Sequence, residues 1–234
     1  MSKNYSINFS IPKRPKKSIK FIIIHYTGMR SESEALKRLC DTRAKVSAHY
    51  FIKNNGDVLN LVPDIYTAWH AGESSWKKYT YLNKNSIGIE INNPGHDNNY
   101  KKFNPRQIKA IKKLLKHLIK KYKINSKNVL GHSDVAPDRK KDPGEKFPWR
   151  ELAASNLCQW HNLKEGMIKS FRKKKLSIQE EVLFIRNLYR IGYSKTCKNR
   201  TFLIYSFQRK FRQSLINGKI DKECLLISKS LLKS

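Results

Sequence analysis

The chain of 234 residues carries 49 lysines and arginines against 18 aspartates and glutamates, a formal net charge of +31. Its length supports one large domain, or a medium and a small one, with enough core to be stable without disulfides. The charge favours polyanionic partners, but the lysines are scattered and do not form a basic stripe with interleaved aromatic residues, so no specific nucleic-acid partner is predicted.

The cysteines and the apolar runs exclude two further classes of protein. The four cysteines lie far apart and form no Cys-x-x-Cys pair, which argues against a zinc ribbon and against a disulfide framework. The apolar run 21–24 is too short for a signal peptide or a membrane span. We therefore expect no transmembrane segment and a cytoplasmic location, with the periplasm or cell envelope as the alternative.

The first two thirds of the chain alternate predicted strands and helices. After a polar arm at residues 1–18, the run 21–24 has the β-branched and aromatic composition of a strand buried on both faces, and it ends at His25. Asn54-Asn55-Gly56 predicts a hairpin turn. Further strands are predicted at 46–53, 57–62, 86–92 and 129–130, and helices at about 32–43, 105–123 and 149–160.

Polar side chains interrupt this framework at two places. Glu90 lies between two isoleucines of a predicted strand, so if the isoleucines face the core, the carboxyl faces water or a site on the other side of the sheet. The segment 68–85, which contains Trp69 and His70, is predicted as a long loop and as a candidate wall of a binding site.

The segment 131–144 concentrates more reactive side chains than a connector needs. It contains His132, Asp134, Lys140 and Asp142, together with two prolines that exclude a continuous helix. His132 and Asp142 therefore have to approach each other through a folded loop, and loops held by a rigid scaffold are common places for sites.

Two histidines and one aspartate form a plausible zinc set. His25 ends one strand, His132 follows another, and Asp142 returns on the folded loop. Three nitrogen and carboxylate ligands leave the fourth tetrahedral position free for water or substrate. Such a site also needs a base and a cation for a developing oxyanion, and Glu90 and Lys140 have that chemistry.

Several short runs resemble the zinc-dependent N-acetylmuramoyl-L-alanine amidases of the amidase-2 class. This class includes bacterial recycling and envelope amidases and is related to phage T7 lysozyme and the peptidoglycan recognition proteins. The matching runs are Ile23-Ile24-His25-Tyr26, Val46-Ser47-Ala48-His49-Tyr50, Ala68-Trp69-His70-Ala71-Gly72, Ser86-Ile87-Gly88-Ile89-Glu90 and the loop 131–144. They occur in order between about residues 20 and 150.

The resemblance implies an α/β fold with a mixed central sheet flanked by helices, and one zinc ion on His25, His132 and Asp142. It also implies that Glu90 activates water as the general base and that Lys140 stabilises the oxyanion. The implied reaction is hydrolysis of the amide between N-acetylmuramic acid and L-alanine in peptidoglycan or muropeptides.

Five residues are candidates for the substrate cleft: Tyr26, Trp69, His70, Asn92 and Arg139. Arg139 has the chemistry to hold a carboxylate of a wall peptide by a bidentate contact. Tyr26 departs from the asparagine that follows the first ligand in some recycling enzymes, which leaves the finer choice of substrate open.

The C-terminal third is predicted as a separate helical unit. The run 207–212, followed by Asn217-Gly218, is similar to the three-helix peptidoglycan-binding module of envelope amidases. The expected organisation is a zinc amidase domain with its N-terminal arm at 1–160, a basic linker at 161–176 and a three-helix module at 177–234.

The expected partners are peptidoglycan or muropeptides, and we expect a monomer. The main alternative is a peptidoglycan-binding protein of the same fold that does not cut its ligand. A basic nucleic-acid-binding protein is a weaker alternative, which predicts tight binding with a steep salt dependence. The residues leave open whether the substrate is a 1,6-anhydro-muropeptide or the intact sacculus.

Overall fold

The structure is a computed structural model that describes residues 5–233. Its strands are β1 (Phe9–Ser10), β2 (Phe21–Tyr26), β3 (Tyr50–Ile52), β4 (Val58–Asn60), β5 (Thr67–Ala68), β6 (Ser75–Trp76), β7 (Tyr79–Thr80), β8 (Ser86–Ile91) and β9 (Val129–Gly131). Its α-helices are α1 (Glu32–Cys40), α2 (Pro105–Tyr122), α3 (His132–Val135), α4 (Trp149–Ala153), α5 (Glu165–Lys169), α6 (Ile178–Ile191), α7 (Arg200–Phe211) and α8 (Lys222–Lys233).

Five strands form the central sheet in the order β4-β3-β8-β2-β9. Strands β3, β8, β2 and β9 are parallel, and β4 pairs antiparallel with β3, which confirms the predicted mixed sheet. Because β2 lies between β8 and β9, the carboxyl ends of three parallel strands meet at one edge of the sheet. Active sites of open α/β sheets form at such edges.

The two faces of the sheet are covered by different layers. Ile22, Ile24 and the isoleucines of β8 pack against α2, whereas Phe21 and Ile23 pack against α6, α7 and α8. All four residues of the run 21–24 are buried, as its unbroken apolar composition predicts. The isoleucines of β8 face the α2 layer, so Glu90 lies on the opposite face.

Several predicted elements are shorter in the structure than in the sequence pattern. The predicted strand 46–53 is a strand only at Tyr50–Ile52, and the backbone nitrogen of Ser47 bonds outside the central sheet, to the carbonyl oxygen of Trp69. The predicted helix 149–160 ends at Ala153, and the chain then turns at Asn156, which has a left-handed φ of 57°.

The N-terminal arm is tied to the body of the protein by Arg14. Its guanidinium is buried and donates hydrogen bonds to the carbonyl oxygens of Asp64, Asn83 and Ser86. It also lies beside the buried ring of His49, with 2.8 Å between Arg14 Nη2 and His49 Nε2. The arm therefore supports the segment that leads into β8.

The His49 ring is expected to make the protein sensitive to acid. Burial, and then Arg14, lower the pKa of His49 to about 3. Between that value and the unfolded pKa of about 6.5, the unfolded chain binds a proton that the folded chain does not. The free energy of unfolding therefore falls as the pH decreases, by about 2 kcal/mol at pH 5 from this ring alone.

Urea unfolding at pH 7 and pH 5 checks this expectation with wild type and His49→Gln. The variant should lose less stability between the two pH values, by roughly the same 2 kcal/mol, because glutamine does not titrate. An equal pH dependence in both proteins would contradict the assignment to His49.

The C-terminal helices share a hydrophobic core with the sheet. Phe184, Phe207 and Leu225 of α6, α7 and α8 belong to the same buried cluster as Ile23 and Leu130 of the sheet. The predicted three helices are present, but they pack directly on one sheet face. Within residues 5–233, no helix combines the length and apolar character needed to cross a bilayer.

The predicted linker 161–176 is folded in the structure. It contains α5, whose Ile168 is buried in the cluster of the C-terminal helices. Arg172 Nε donates to Glu223 Oε2 at 2.7 Å, so the basic run is joined to α8. The segment is therefore part of the helical layer, and the proposed boundaries at 160 and 176 stay a prediction.

Candidate active site

Three side chains converge at the carboxyl ends of the neighbouring strands β2 and β9. His25 is the fifth residue of β2, and His132 follows β9 as the first residue of α3. Asp142 comes back to the same point on the loop that follows α3. The two prolines of that loop exclude helix, as the sequence indicates, and the convergence is made by folding of the loop.

The convergence is close and involves one atom from each residue. His25 Nδ1 lies 3.0 Å from His132 Nδ1 and 3.0 Å from Asp142 Oδ2, and the distance from His132 Nδ1 to Asp142 Oδ2 is 3.1 Å. All three residues are buried. The same three residues are the metal set that the sequence predicts.

The hydrogen bonds of His132 determine which of its nitrogens carries the proton. His132 Nε2 lies 3.1 Å from the carbonyl oxygen of Ala71. A carbonyl oxygen only accepts, so Nε2 carries the hydrogen and donates it. In the neutral ring, Nδ1 then presents a lone pair to His25 and Asp142.

A chain of hydrogen bonds makes the same assignment for His25. The Ser86 hydroxyl donates to the carbonyl oxygen of Leu82 at 2.6 Å, so it accepts from His70 Nε2 at 3.2 Å. His70 Nδ1 is then the acceptor for His25 Nε2 at 3.0 Å. The His25 proton therefore lies on Nε2, and His25 Nδ1 also presents a lone pair.

Three lone-pair atoms facing one another fit a bound cation. Burial alone would raise the pKa of Asp142, but His132 and then His25 hold it far below its usual range when their rings carry protons toward it. When both Nδ1 atoms are unprotonated, a bound cation would supply the positive charge that keeps the carboxylate ionised. Without a cation, the three atoms repel one another. Two imidazole nitrogens and one carboxylate oxygen are a common zinc donor set, and tetrahedral zinc places its ligand atoms roughly 3.4 Å apart.

Glu90 lies next to this set on the neighbouring strand. It pairs in register with His25 across β8 and β2. Its Oε2 is buried and has no hydrogen-bond partner among residues 5–233. Burial, and then the charge of Asp142, raise the pKa of Glu90 to about 8, while Lys140 opposes that rise.

Lys140 and Arg139 enter the same cleft from the loop after α3. No acceptor in the part of the chain that the structure describes bonds to Lys140 Nζ, so this ammonium remains available to a ligand. Arg139 is partly committed, because its Nη2 donates to the carbonyl oxygens of Ala71 and Glu73. Its predicted bidentate contact with a substrate carboxylate therefore competes with backbone bonds.

The three metal-set residues lie at the bottom of an open cleft of about 610 Å³. Tyr26, Trp69, His70 and Arg139 line it, as predicted. Trp69 is held by a bond from its Nε1 to the Ser10 hydroxyl at 2.9 Å. Asn92 does not line it. The Asn92 side chain is buried between Thr27 and Asn54 and bonds to both, so it supports the sheet edge.

The match to a known family covers more than half of the chain. Residues 15–145 match the amidase-2 family, described as N-acetylmuramoyl-L-alanine amidase. The chain belongs to this family. The fold and the convergent histidines and aspartate now have a common explanation.

Relatives with known structures extend the similarity to the whole chain. AmiD, an N-acetylmuramoyl-L-alanine amidase of Escherichia coli, is 35% identical over 92% of this chain and 83% of its own length. A structure of AmiD with anhydro-N-acetylmuramic acid-L-Ala-D-gamma-Glu-L-Lys superposes with a TM-score of 0.81 at 34% identity, covering 96% of this chain and 91% of AmiD. AmpDh3 of Pseudomonas aeruginosa with anhydromuramic pentapeptide gives 0.82 at 29% identity, with 100% and 98% covered.

Another relative matches less than half of the chain. AmpD of E. coli, a 1,6-anhydro-N-acetylmuramyl-L-alanine amidase, is 39% identical over 45% of this chain and 55% of its own length. The structures of AmiD and AmpDh3 cover 96% and 100% of this chain, so their similarity extends to the C-terminal helices.

His70 lines the cleft, as predicted, but its ring is bonded within the protein. Both of its ring nitrogens bond within the protein, to His25 and Ser86. The ring packs so closely on β8 that a Cβ atom at Gly88 would lie 2.3 Å from His70 Cγ. We therefore assign His70 to the support of His25 rather than to contact with substrate.

Replacing His70 should weaken metal binding. In His70→Ala, His25 Nε2 loses its acceptor and the ring is free to rotate, so we expect the zinc affinity to fall about 10- to 100-fold. Competition with a chromogenic chelator measures this. Trp69→Phe, which loses only the bond to Ser10, should keep the wild-type affinity, and equal affinities in the two variants would contradict the assignment.

Other cleft residues were not selected from the sequence. Arg38, Ser47, Asp97 and Lys141 also line the cleft of this amidase. They belong to α1 and to separate loops, and their residue types are common on protein surfaces. The carbonyl oxygen of Ala71, which orients His132, has no side-chain signal at all.

Proposed function

We propose that this amidase uses one zinc ion, held by His25, His132 and Asp142, to hydrolyse the amide between N-acetylmuramic acid and L-alanine. The observation that carries the proposal is the set of three converging ligand atoms, 3.0 to 3.1 Å apart, beside a buried carboxyl. Zinc bound there would supply a Lewis acid that activates water and polarises the amide carbonyl.

Glu90 is proposed as the general base. Its unbonded Oε2 faces the space beside His25, where it can take the proton from the attacking water. A zinc ion beside Glu90 would oppose the rise of its pKa and favour the ionised form that takes a proton. Burial keeps that pKa above the ordinary range, so the carboxyl can also return the proton near neutral pH. The same atom would then protonate the leaving amine of L-alanine.

Lys140 is proposed to stabilise the developing oxyanion. Its ammonium borders the cleft near Glu90 and Asp142 and has no competing acceptor within residues 5–233. A positive charge at this position favours the tetrahedral, negatively charged oxygen more than the neutral amide carbonyl. Tyr26 and Trp69 would form walls of the substrate cleft.

Soluble muropeptides and intact wall are both compatible with the open cleft. AmiD and AmpDh3 were each solved with an anhydromuramic peptide. We propose that this amidase accepts the same class of ligand, a muramic acid residue that carries a peptide on its lactyl group.

Product analysis tests the proposed reaction. Zinc-loaded protein should release free peptides from anhydro-muropeptides and leave the anhydro sugar intact, and a chelator should stop the release. A parallel incubation with purified sacculi compares the two substrate classes. Absence of peptide release from both substrates by the zinc-loaded protein would refute hydrolysis and favour a binding role.

A further inference from the structure

The aspartate between the metal ligands has a structural role of its own. Asp134 lies two residues after His132 and its side chain is 1% exposed. Its Oδ2 accepts from the backbone nitrogen of Gly131 at 2.8 Å and from Lys210 Nζ at 2.9 Å. One carboxylate oxygen thus joins the start of the metal-binding loop to helix α7.

Two hydroxyl groups of the C-terminal region complete the contact. Tyr193 donates to Asp134 Oδ1 at 3.0 Å, and Ser206 donates to the carbonyl oxygen of Ser133 at 2.7 Å. Both side chains are buried. The backbone on each side of His132 is therefore bonded to groups held by the C-terminal helices.

Lys210 is committed entirely to this contact. Its side chain is 4% exposed, and Nζ also donates to the carbonyl oxygen of Val129 at 3.2 Å and lies over the ring of Trp149. Burial of an ammonium is costly unless its charge is paired and its hydrogens are bonded. Lys210 meets this condition only while Asp134 and β9 keep their present positions.

Gln213, just after α7, bonds to the backbone that follows the third ligand, Asp142. Gln213 Nε2 donates to the carbonyl oxygens of Glu145 and Phe147, each at 2.6 Å. These residues follow Asp142 in the sequence. The C-terminal region thus contacts the backbone after both ligands of the 131–144 loop.

We propose that the C-terminal helices position the metal-binding loop, with Lys210, through Asp134, as the central positioning residue. The metal role of the loop rests on the function proposed above. This role differs from that of a detachable wall-binding module. The contacts join the helices to the backbone of the metal-binding loop and not to an exposed surface.

One variant at Lys210 and one at Arg212, both in the full-length protein, separate an effect on the position of the metal-binding loop from an effect on stability. Lys210→Met leaves Asp134 buried without its cation, and we expect about tenfold weaker zinc affinity. Arg212→Met is the matched control, because Arg212 is equally buried near the end of α7 but pairs with Asp221 of the C-terminal region. It should lose thermal stability and keep the wild-type zinc affinity.

Hydrogen exchange in the metal-free protein gives a readout that does not depend on zinc. The segment 129–136 should exchange faster in Lys210→Met than in wild type, and Arg212→Met should leave it unchanged. Ser206→Ala is the milder variant if Lys210→Met does not fold. It should raise exchange in the same segment and weaken zinc binding about two- to tenfold, the range for one hydrogen bond.

Unchanged exchange and affinity in folded Lys210→Met, or in Ser206→Ala, would overturn the proposal. An equal change in Arg212→Met would also overturn it, because the effect would then be general destabilisation. If wild type binds no zinc, the proposed function fails, and the exchange comparison still decides whether the helices hold the loop.

Discussion

Glu90→Gln should lose most of its turnover and still bind zinc. Glutamine has nearly the shape of the glutamate but cannot take a proton from water, so we expect kcat to fall about 10²- to 10⁴-fold. The metal ligands are His25, His132 and Asp142, so zinc affinity should stay within a few-fold of wild type. Peptide release from an anhydro-muropeptide, measured with zinc-saturated protein, checks the first expectation.

The combination of results distinguishes a base from a structural residue. Glu90 pairs with His25 across two strands, so a merely structural effect would disturb the zinc site and stability together. A large loss of kcat with normal zinc affinity and normal unfolding supports a base. Turnover at the wild-type level in Glu90→Gln would refute the assigned role.

His132→Ala should lose both zinc and turnover. This change removes one of the three converging atoms and leaves Asp142 and His25 with an incomplete set. We expect the loss in zinc affinity to exceed the roughly 10- to 100-fold typical of residues that only orient a ligand. Chelator competition and peptide release measure the two effects on the same preparation.

His117→Ala is a suitable control for this variant. His117 is an exposed histidine of α2 and lies outside the cleft lining. It should keep the wild-type zinc affinity and activity. If His132→Ala retained zinc at a stoichiometry of one, the metal would lie elsewhere and the proposed site would be wrong.

The C-terminal helices change how the amidase is divided into functional parts. They cover one face of the sheet, and Lys210 and Ser206 contact the backbone around His132. Binding of the C-terminal helices to intact wall is a separate prediction, which purified sacculi can test. The internal contacts predict that changes in this region affect the metal site even when the substrate is a small soluble muropeptide.

Local pattern was sufficient for the framework of the sheet, and the metal set needed the resemblance to a family in addition. The unbroken apolar run before His25 predicted a buried strand, and the prolines of 131–144 predicted a folded loop. The alternation of β8 predicted that Glu90 lies opposite its isoleucines, and the structure has this arrangement. These features depend on the order of residues along one segment, so a single sequence contains them.

The roles of His70, Asn92 and the segment 161–176 depend on residues far away in the chain. His70 lines the cleft, but only the structure shows that Ser86 and His25 bond to its two ring nitrogens. Asn92 bonds to Thr27 and Asn54 at the sheet edge. Hydrogen-bond partners of this kind have no fixed spacing in sequence.

The segment 131–144 shows most clearly what the sequence determined and what only the folded structure decided. Its residue types by themselves predicted a folded loop without a continuous helix, and the resemblance to a family selected His132 and Asp142 as ligands in preference to Asp134. Only the tertiary structure decided that Asp134 pairs with Lys210 and that Ala71 orients His132. The physical reason is that reactive chemistry is encoded in single side chains, whereas orientation requires partners that only folding brings together.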